Sequence, residues 1–173
     1  MTRPWRNWAG NQRTNPVRTV AAHDTGDVVA AVKDAARDGL RLKAVGSGHS
    51  FTAIAVPDGV AVRAPSDPRL LHVDADGLAT VPAGMTLRAL NPLLWERGRA
   101  LPNLGDIDAQ TVAGALATGT HGTGAHHGAS PTRCARWSSS PPTASSAPAR
   151  GARTPTSSPP PAWASAPSGF SSA

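Results

Sequence analysis

The stretch V-G-S-G-H-S-F-T at residues 45–52 decides how the fold is predicted. It continues a strand-like run at 41–45, and its glycines at 46 and 48 permit positive φ and a close approach of backbone N–H groups to a diphosphate. The third glycine of the Rossmann pattern is absent, and so is the Gly-Lys-Ser/Thr of the P-loop. Taken alone, the stretch is typical of an ordinary loop, and His49 of a satisfied or exposed histidine.

A second glycine-rich stretch changes the interpretation of the first. Residues 101–124 are L-P-N-L-G-D-I-D-A-Q-T-V-A-G-A-L-A-T-G-T-H-G-T-G, and the last seven contain three glycines, three threonines and one histidine. Such a composition costs backbone entropy unless something packs directly against the main chain. A flexible linker is the alternative from composition alone. The apolar run at 112–116 that precedes the glycines argues against a linker.

Two amphipathic helices are predicted in the sequence around these stretches. Thr25 is expected to cap the first helix, with Asp27 in the first turn, where the helix dipole favours an anion. Gly39 is expected to end that helix. Thr86 is expected to cap the second helix, and Gly98 to end it. In both segments the apolar residues recur at helical spacing.

Short β-branched or alternating runs between the helices are predicted to be strands. A turn at Asp76-Gly77 is expected to join the last two of them in a hairpin. The predicted strands are 17–20, 41–45, 60–62, 70–73 and 78–81. This mixed order of strands and helices predicts a compact α+β lobe within residues 1–128.

The remaining residues, 129–173, differ in composition from the rest of the chain. No Leu, Ile, Val or Met follows Leu116, and all eleven acidic residues precede position 128. Pro, Ser and Ala dominate this tail, which lacks the apolar area needed to offset its ordering entropy. We therefore predict that the tail is disordered. Its lone Cys134 excludes an intramolecular disulfide and a cysteine-based metal site.

The net charge of +6 does not indicate a nucleic-acid-binding protein. Residues 1–128 carry 13 Lys or Arg against 11 acids, a net +2, and the tail carries four dispersed Arg. A nucleic-acid interface would cluster its cations on one face, with aromatic side chains beside them. Because the sequence shows no signal-peptide pattern and no long apolar stretch, we expect a cytoplasmic protein, with peripheral membrane association left open.

Together the two glycine-rich stretches resemble the flavin-binding signature of the vanillyl-alcohol oxidase/p-cresol methylhydroxylase (PCMH-type) superfamily. The similarity is greatest to its sugar 1,4-lactone oxidase and alditol oxidase branch, and N-W-A-G-N-Q at 7–12 and V-P-A-G at 81–84 contribute to it. The resemblance covers most of residues 5–128. It implies the first lobe of a PCMH-type FAD-binding domain, in an enzyme that passes hydride from a substrate CH–OH group to flavin N5 and then reduces O2 to H2O2.

The resemblance also implies which residues bind FAD. Gly46, Ser47 and Gly48 would surround the pyrophosphate, and Ser50 would hold the adjoining loop. His49 lies where many members of the family attach FAD covalently, which requires a neutral, nucleophilic imidazole. The other residues implied to line the pyrophosphate, the ribityl chain and the isoalloxazine are Asp106, Thr111, Gly114, Thr118, Gly119, Thr120, His121, Gly122 and Gly124.

The resemblance assigns no catalytic residue to this chain, because the substrate-facing residues of the family lie mostly in a later cap domain. The implied partners are a sugar lactone or polyol as substrate and dioxygen as acceptor. The alternative function is that of a truncated, catalytically inactive fragment or a small non-catalytic binding module.

The tail itself suggests why the resemblance stops near residue 128. Shifted by one base, with GC-rich codons, it becomes L-A-D-A-L-R-A-L-E-L-V-T-A-D-G-V-V-R from Ala129 and F-A-A-A-R-V-G-L-G-A-L-G-V-L from Ser157. These strings alternate and turn as paired strands do, and they resemble the next segment of the family. We therefore predict a one-base insertion or deletion near codon 128–129.

Overall fold

The computed structural model describes residues 4–75 and 78–124, in which strands and helices alternate and confirm the predicted α+β class. The predicted tail and the Asp76-Gly77 turn lie outside these ranges. Within them, no helix is long and apolar enough to cross a bilayer. The strands are β1 (Trp5–Arg6), β2 (Arg13–Thr14), β3 (Arg18–Ala21), β4 (Leu42–Ala44), β5 (Val60–Arg63), β6 (His72–Val73) and β7 (Ala79–Thr80), and the helices are α1 (Thr25–Arg37), α2 (Leu87–Trp95) and α3 (Val112–Ala117).

A parallel sheet with the strand order β3-β5-β4 organises the first half of the described chain. Strand β5 lies in the centre because its first three residues, 60–62, are apolar, and they are at most 3% exposed. Helix α1 joins β3 to β4 and packs Ala31 and Ala35 against the sheet. The chain leaves the carboxyl end of β4 and enters residues 46–50 directly. This is the end of a parallel sheet at which open α/β folds bind their ligands.

The ends of α1 follow the predicted residues closely, with one correction. The N-cap is Asp24, whose Oδ1 accepts a hydrogen bond from Asp27 N at 2.9 Å, so the predicted cap at Thr25 was wrong by one residue. Asp27 Oδ2 in turn accepts from His23 N at 2.8 Å, so the residue just before the cap is also bonded to the first turn. Gly39 ends the helix as predicted, at a φ of 64° that suits glycine.

The second half of the described chain packs around an apolar cluster formed by Leu71, Met85, Leu90 and Leu94. Strands β6 and β7 form the predicted hairpin, but their pairing is shorter than predicted because a 3₁₀ turn at Pro68–Leu70 takes the first part of 70–73. Helix α2 begins after Thr86 as predicted, with Ala89 N donating to Thr86 Oγ1 at 3.2 Å. Gly98 follows it at a φ of 64°.

The corrected cap gives a direct test of how α1 begins. Asp24→Ala removes the acceptor for Asp27 N and should lower the free energy of unfolding by about 1 kcal/mol. Thr25→Ala is the matched control, because it changes the predicted cap instead and should shift stability by less than about 0.5 kcal/mol. Urea unfolding of the full chain, followed by circular dichroism at 222 nm, measures both. The reverse order of effects would restore Thr25 as the cap.

Candidate functional site

The loop that follows β4, residues 46–50, presents backbone rather than side chains and is called the glycine loop below. Gly48 has a φ of 72°, and a Cβ built there would lie 3.4 Å from Asn7 Cα and 3.5 Å from Trp5 Cζ2. Ser47 is exposed, whereas Ser50 is half-buried and its Oγ lies 3.0 Å from Thr52 Oγ1. The tight curvature at Gly48 brings the loop against the N-terminal hairpin.

The N-terminal loop, residues 7–12 between β1 and β2, holds the glycine loop through polar contacts. Asn7 is 2% exposed, and its Nδ2 donates to Ser50 O at 2.9 Å, while its Oδ1 accepts from Gln12 N at 3.0 Å. Trp8 N donates to Gly48 O at 2.8 Å, and Asn11 Nδ2 donates to Phe51 O at 3.0 Å. The N-W-A-G-N-Q stretch therefore acts as a structural support for the glycine loop.

The two glycine-rich stretches meet where Gly46 faces Thr111. A Cβ at Gly46 would lie 2.6 Å from Thr111 Oγ1, closer than real Cβ atoms approach other heavy atoms. Thr111 is 9% exposed and caps α3, with Gly114 N donating to its Oγ1 at 3.1 Å. The glycine loop and the start of α3 are thus in direct contact, although 65 positions separate them in the sequence. This contact brings together three of the predicted site residues.

The segment after α3, residues 118–124, turns back on the helix through threonine hydroxyls and is called the Thr-Gly segment below. Thr118 Oγ1 donates to Gly114 O at 2.9 Å and lies 3.2 Å from Thr120 Oγ1. Thr120 Oγ1 also donates to Gln110 Oε1 at 3.2 Å. Gly119 ends the helix at a φ of 64° with open space around it. These contacts connect two more predicted residues, Thr118 and Thr120, to the segment around Thr111 and Gly114.

Two glycines of this region pack tightly against other residues of the same chain. A Cβ at Gly105 would lie 2.7 Å from Thr120 Cγ2. A Cβ at Gly122 would overlap Asn103 Oδ1 and Leu104 O, and Gly122 N donates to Asn103 Oδ1 at 3.0 Å. The flush packing predicted for the Thr-Gly segment is therefore present, and at Gly122 its partner is the preceding segment of the same chain.

The histidines of the two stretches differ in their surroundings. His49 is half-buried and stacks on Trp8, with 5.4 Å between ring centroids and 21° between ring planes. Within residues 4–75 and 78–124, nothing forms a hydrogen bond with the ring nitrogens of His49. His121 is exposed, and its Nδ1 lies 2.8 Å from Gly122 O. Among the described residues, therefore, no partner occupies either nitrogen of His49, whereas one nitrogen of His121 lies close to an acceptor.

An ion pair fixes the segment that precedes Thr111. Arg88 Nη2 lies 2.9 Å from Asp108 Oδ1, and this hydrogen bond holds the pKa of the Asp108 carboxyl below its usual value. Arg88 N also donates to Asp108 O at 2.8 Å, which attaches the segment to α2. Asp106 and Gly124 are exposed, and in the part of the chain described by the structure Asp106 makes no hydrogen bond through its side chain. The structure does not bring these two residues into the chain of contacts around Thr111.

The predicted site residues line neither of two cavities in the described part of the chain. A cavity of about 970 Å³ lies between the N-terminal hairpin and the sheet, and none of the predicted residues lines it. A second cavity, of about 300 Å³, is apolar and lies between β7 and the two later helices. The surface around Gly46 and Thr111 instead offers main-chain N–H groups and hydroxyls, which is the donor set that a diphosphate-bearing cofactor requires. The described residues therefore fit such a cofactor on one side.

The sequence is similar to a known protein family and to several characterised proteins. Residues 16–137 match the family described as FAD binding domain. The chain is 46% identical over 121 residues to L-gulono-1,4-lactone dehydrogenase of Mycobacterium tuberculosis, covering 69% of this chain and 28% of that protein. It is 36% identical over 125 residues to L-gulonolactone oxidase of Mus musculus, covering 72% and 28%, and 36% identical over 133 residues to D-arabinono-1,4-lactone oxidase of Saccharomyces cerevisiae, covering 72% and 24%.

The fold has solved counterparts as well. Cholesterol oxidase from B. sterolicum superposes with a TM-score of 0.60 at 18% identity, covering 70% of this chain and 24% of that one. At this identity the likeness establishes the fold alone. The chain spans about a quarter of the length of the relatives it matches. The similarity therefore concerns one part of these larger proteins.

The contact between Gly46 and Thr111 can be tested by adding a methyl group at position 46 and then removing the Thr111 hydroxyl that it would meet. Gly46→Ala places a methyl group against Thr111 Oγ1 and should cost about 1–3 kcal/mol of stability, with a parallel loss of FAD affinity. Thr111→Ala alone should cost about 1 kcal/mol by removing a helix cap. In the double variant the remaining Thr111 Cβ lies at an ordinary contact distance of 3.7 Å. Its loss of stability should therefore be smaller than the sum of the single losses, as measured by urea unfolding, and simple additivity would contradict the contact.

Proposed function

Because the chain belongs to the FAD binding domain family, we propose that it is the cofactor-binding N-terminal part of an oxidoreductase that acts on a CH–OH group of a sugar 1,4-lactone or an alditol. The observation that carries the proposal is the contact between Gly46 and Thr111, which joins two distant glycine-rich stretches into one surface. The names of the relatives, two gulonolactone enzymes and an arabinonolactone oxidase, support the substrate class.

Different residues of this surface are proposed to contact different parts of FAD. The N–H groups of Gly46, Ser47 and Gly48 would bind the pyrophosphate, because the two glycines carry no side chain that would cover the main chain there. The hydroxyls of Thr118 and Thr120 bind polar groups of the ribityl chain. When bound, FAD supplies the redox chemistry, by taking a hydride from a substrate C–H bond and passing the electrons to an acceptor. The protein supplies position and hydrogen bonds.

We assign covalent attachment of FAD to His49. Support comes from the ring nitrogens, which are free of hydrogen bonds within the described ranges, and from the half-buried position of the ring beside the glycine loop. A neutral imidazole nitrogen is a nucleophile near pH 7. The bond it would form to the flavin 8α-carbon would replace a C–H bond there. The proton would be released and the two electrons would reduce the flavin, which dioxygen would reoxidise. His121 is the less suitable residue, because its ring is exposed, whereas that of His49 is half-buried beside the glycine loop.

The 173-residue chain itself should bind FAD with little or no turnover. The proposed cofactor residues line neither of the two cavities described above, and the chain spans about a quarter of the length of its relatives. The residues that would enclose the isoalloxazine and select the substrate therefore belong to other parts of the whole protein. This favours a non-catalytic FAD-binding fragment as the second candidate function of the chain as it stands.

The flavin test uses the purified full chain with added FAD. We expect a yellow protein that keeps absorbance near ~450 nm after acid precipitation, because only covalently attached flavin survives denaturation. His49→Ala should lose the acid-stable fraction completely. His72→Ala, which changes an exposed histidine of β6, is the matched control and should keep it. No H2O2 should form from L-gulono-1,4-lactone or D-arabinono-1,4-lactone, nor should an artificial electron acceptor be reduced.

Each result of this test has a separate meaning. A colourless protein that takes up no FAD contradicts the proposed function. Acid-stable flavin in His49→Ala contradicts the assignment of the linkage but keeps the cofactor. Turnover of either lactone by the 173-residue chain contradicts the fragment interpretation and shows that this surface is sufficient for catalysis.

We further propose that residues 129–173 arise from a one-base change of reading frame near codon 128–129. The family match ends at residue 137, within nine residues of that point. The coding DNA should show a continuous second frame that encodes L-A-D-A-L-R and the strand-like sequence after it. Sequencing this region from an independent template decides the question, and a second frame interrupted by stop codons contradicts the proposal.

A further inference from the structure

We infer that Trp8 is a positioning residue that sets the orientation of the His49 imidazole for covalent attachment of FAD. The inference rests on the proposed function, because it takes His49 as the site of FAD attachment. The packing of the Trp8 and His49 rings, however, does not depend on the cofactor. Trp8 and His49 lie 41 positions apart and stack with 5.4 Å between centroids and 21° between planes. Both residues belong to stretches that carry the family resemblance, which implied no contact between them.

The backbone of Trp8 is fixed to the loop that carries the histidine. Trp8 N donates to Gly48 O at 2.8 Å. Because Gly48 precedes His49, this hydrogen bond holds the backbone of Trp8 next to that of His49. The buried Asn7 side chain bonds Ser50 O on the other side of His49 at 2.9 Å. His49 is therefore held between two backbone attachments to the N-terminal loop, and Trp8 is placed over its ring by the first of them.

A stacked neighbour suits a histidine that must react at a ring nitrogen. A hydrogen bond donated to the nucleophilic nitrogen would also orient the ring, but it would occupy the lone pair that the reaction needs. Stacking acts on the ring face and leaves both nitrogens at the edge. His49 shows this arrangement. Within the ranges described above, its ring stacks on Trp8, and its ring nitrogens neither accept nor donate a hydrogen bond.

The exposure of Trp8 argues against a purely structural role in the core. Its side chain is 68% exposed, whereas Trp5, three residues earlier in the same hairpin, is 8% exposed and packs beside Gly48. Phe51, 63% exposed, meets Trp8 edge to face at 6.3 Å between centroids. A large aromatic side chain at such exposure gains little from burial. Its contacts are with the loop that carries His49.

The experiment compares Trp8→Ala, Trp8→Leu and Trp8→Phe in the full chain. Trp95→Ala is the matched control, because Trp95 is 78% exposed on α2. The first readout, on apo-protein with isotope-labelled histidine, is the NMR shift of the His49 ring protons, assigned with His49→Ala. The second, with FAD added, is the rate of acid-stable flavin formation together with the Kd of FAD before the covalent bond forms.

We expect the His49 ring protons to lose an upfield ring-current shift in Trp8→Ala and Trp8→Leu, and to keep most of it in Trp8→Phe. The covalent rate should fall about tenfold in the first two variants, since loss of orientation slows a bond-forming step, while the Kd changes by less than about twofold. Trp8→Phe should recover most of the rate. Trp95→Ala should match the wild type in both readouts.

Two results would overturn the inference. The first is an unchanged His49 shift in Trp8→Ala and Trp8→Leu, which would show that the rings do not stack in solution. The second is an unchanged covalent rate, or an equal fall in rate and in FAD affinity, which would show a merely structural effect. If the wild type takes up no FAD, the proposed function fails, and the ring shifts alone then decide whether Trp8 orients His49.

Discussion

The lack of a side chain at Gly46 lets the hydroxyl of Thr111 occupy the space where a Cβ would stand, and the candidate site is assembled around this contact. Thr111 is simultaneously the N-cap of α3 and the partner of Thr86 in an isolated antiparallel bridge. Val112 N donates to Met85 O at 2.8 Å from the adjacent position. A single buried threonine therefore connects the glycine loop to both later helices. A larger residue at position 46 would separate all three.

Other glycines of the described chain serve the same purpose of chain-to-chain contact. A Cβ at Gly59 would overlap the backbone of Arg41, and one at Gly84 would overlap Ala64 O. Gly84 N donates to Pro65 O at 2.8 Å, which explains in physical terms why V-P-A-G stands before α2. These approaches occur between backbones, where nothing can move aside at low cost. Some glycines of this chain are thus required by internal packing, and not by the surface proposed to bind a ligand.

Much of the fold was predictable because the elements concerned are long or end in residues with strong preferences. Helix α1 is amphipathic over 13 residues, and Gly39 and Gly98 take the positive φ values that their positions suggested. The hairpin of β1 and β2 escaped prediction because two-residue strands have no measurable period. Helix α3 spans six residues, less than two turns, so its periodicity was equally weak.

The parts of the site that escaped prediction depend on contacts between distant residues. The tryptophan that stacks on His49, and the asparagine that bonds Ser50 O, both come from the loop between β1 and β2. Neither contact has a local signature, since polar and aromatic residues in a loop are ordinary. The family resemblance included this stretch without indicating its structural role. Only the folded chain shows that the N-terminal loop supports the glycine loop.

The distribution of burial separates residues that hold the fold from residues that meet the cofactor. The apolar clusters consist of alanine, valine, leucine and methionine from strands and helices, and no proposed FAD-binding residue belongs to them. Ser47 and Asp106 are exposed and His49 is half-buried, so the folding energy depends little on their side chains. Gly46 and Thr111 are the exceptions, since their contact serves both the packing and the surface. Substitutions at the exposed positions therefore report on cofactor binding alone, whereas loss of flavin in a variant at position 46 or 111 must be judged against the stability of the lobe.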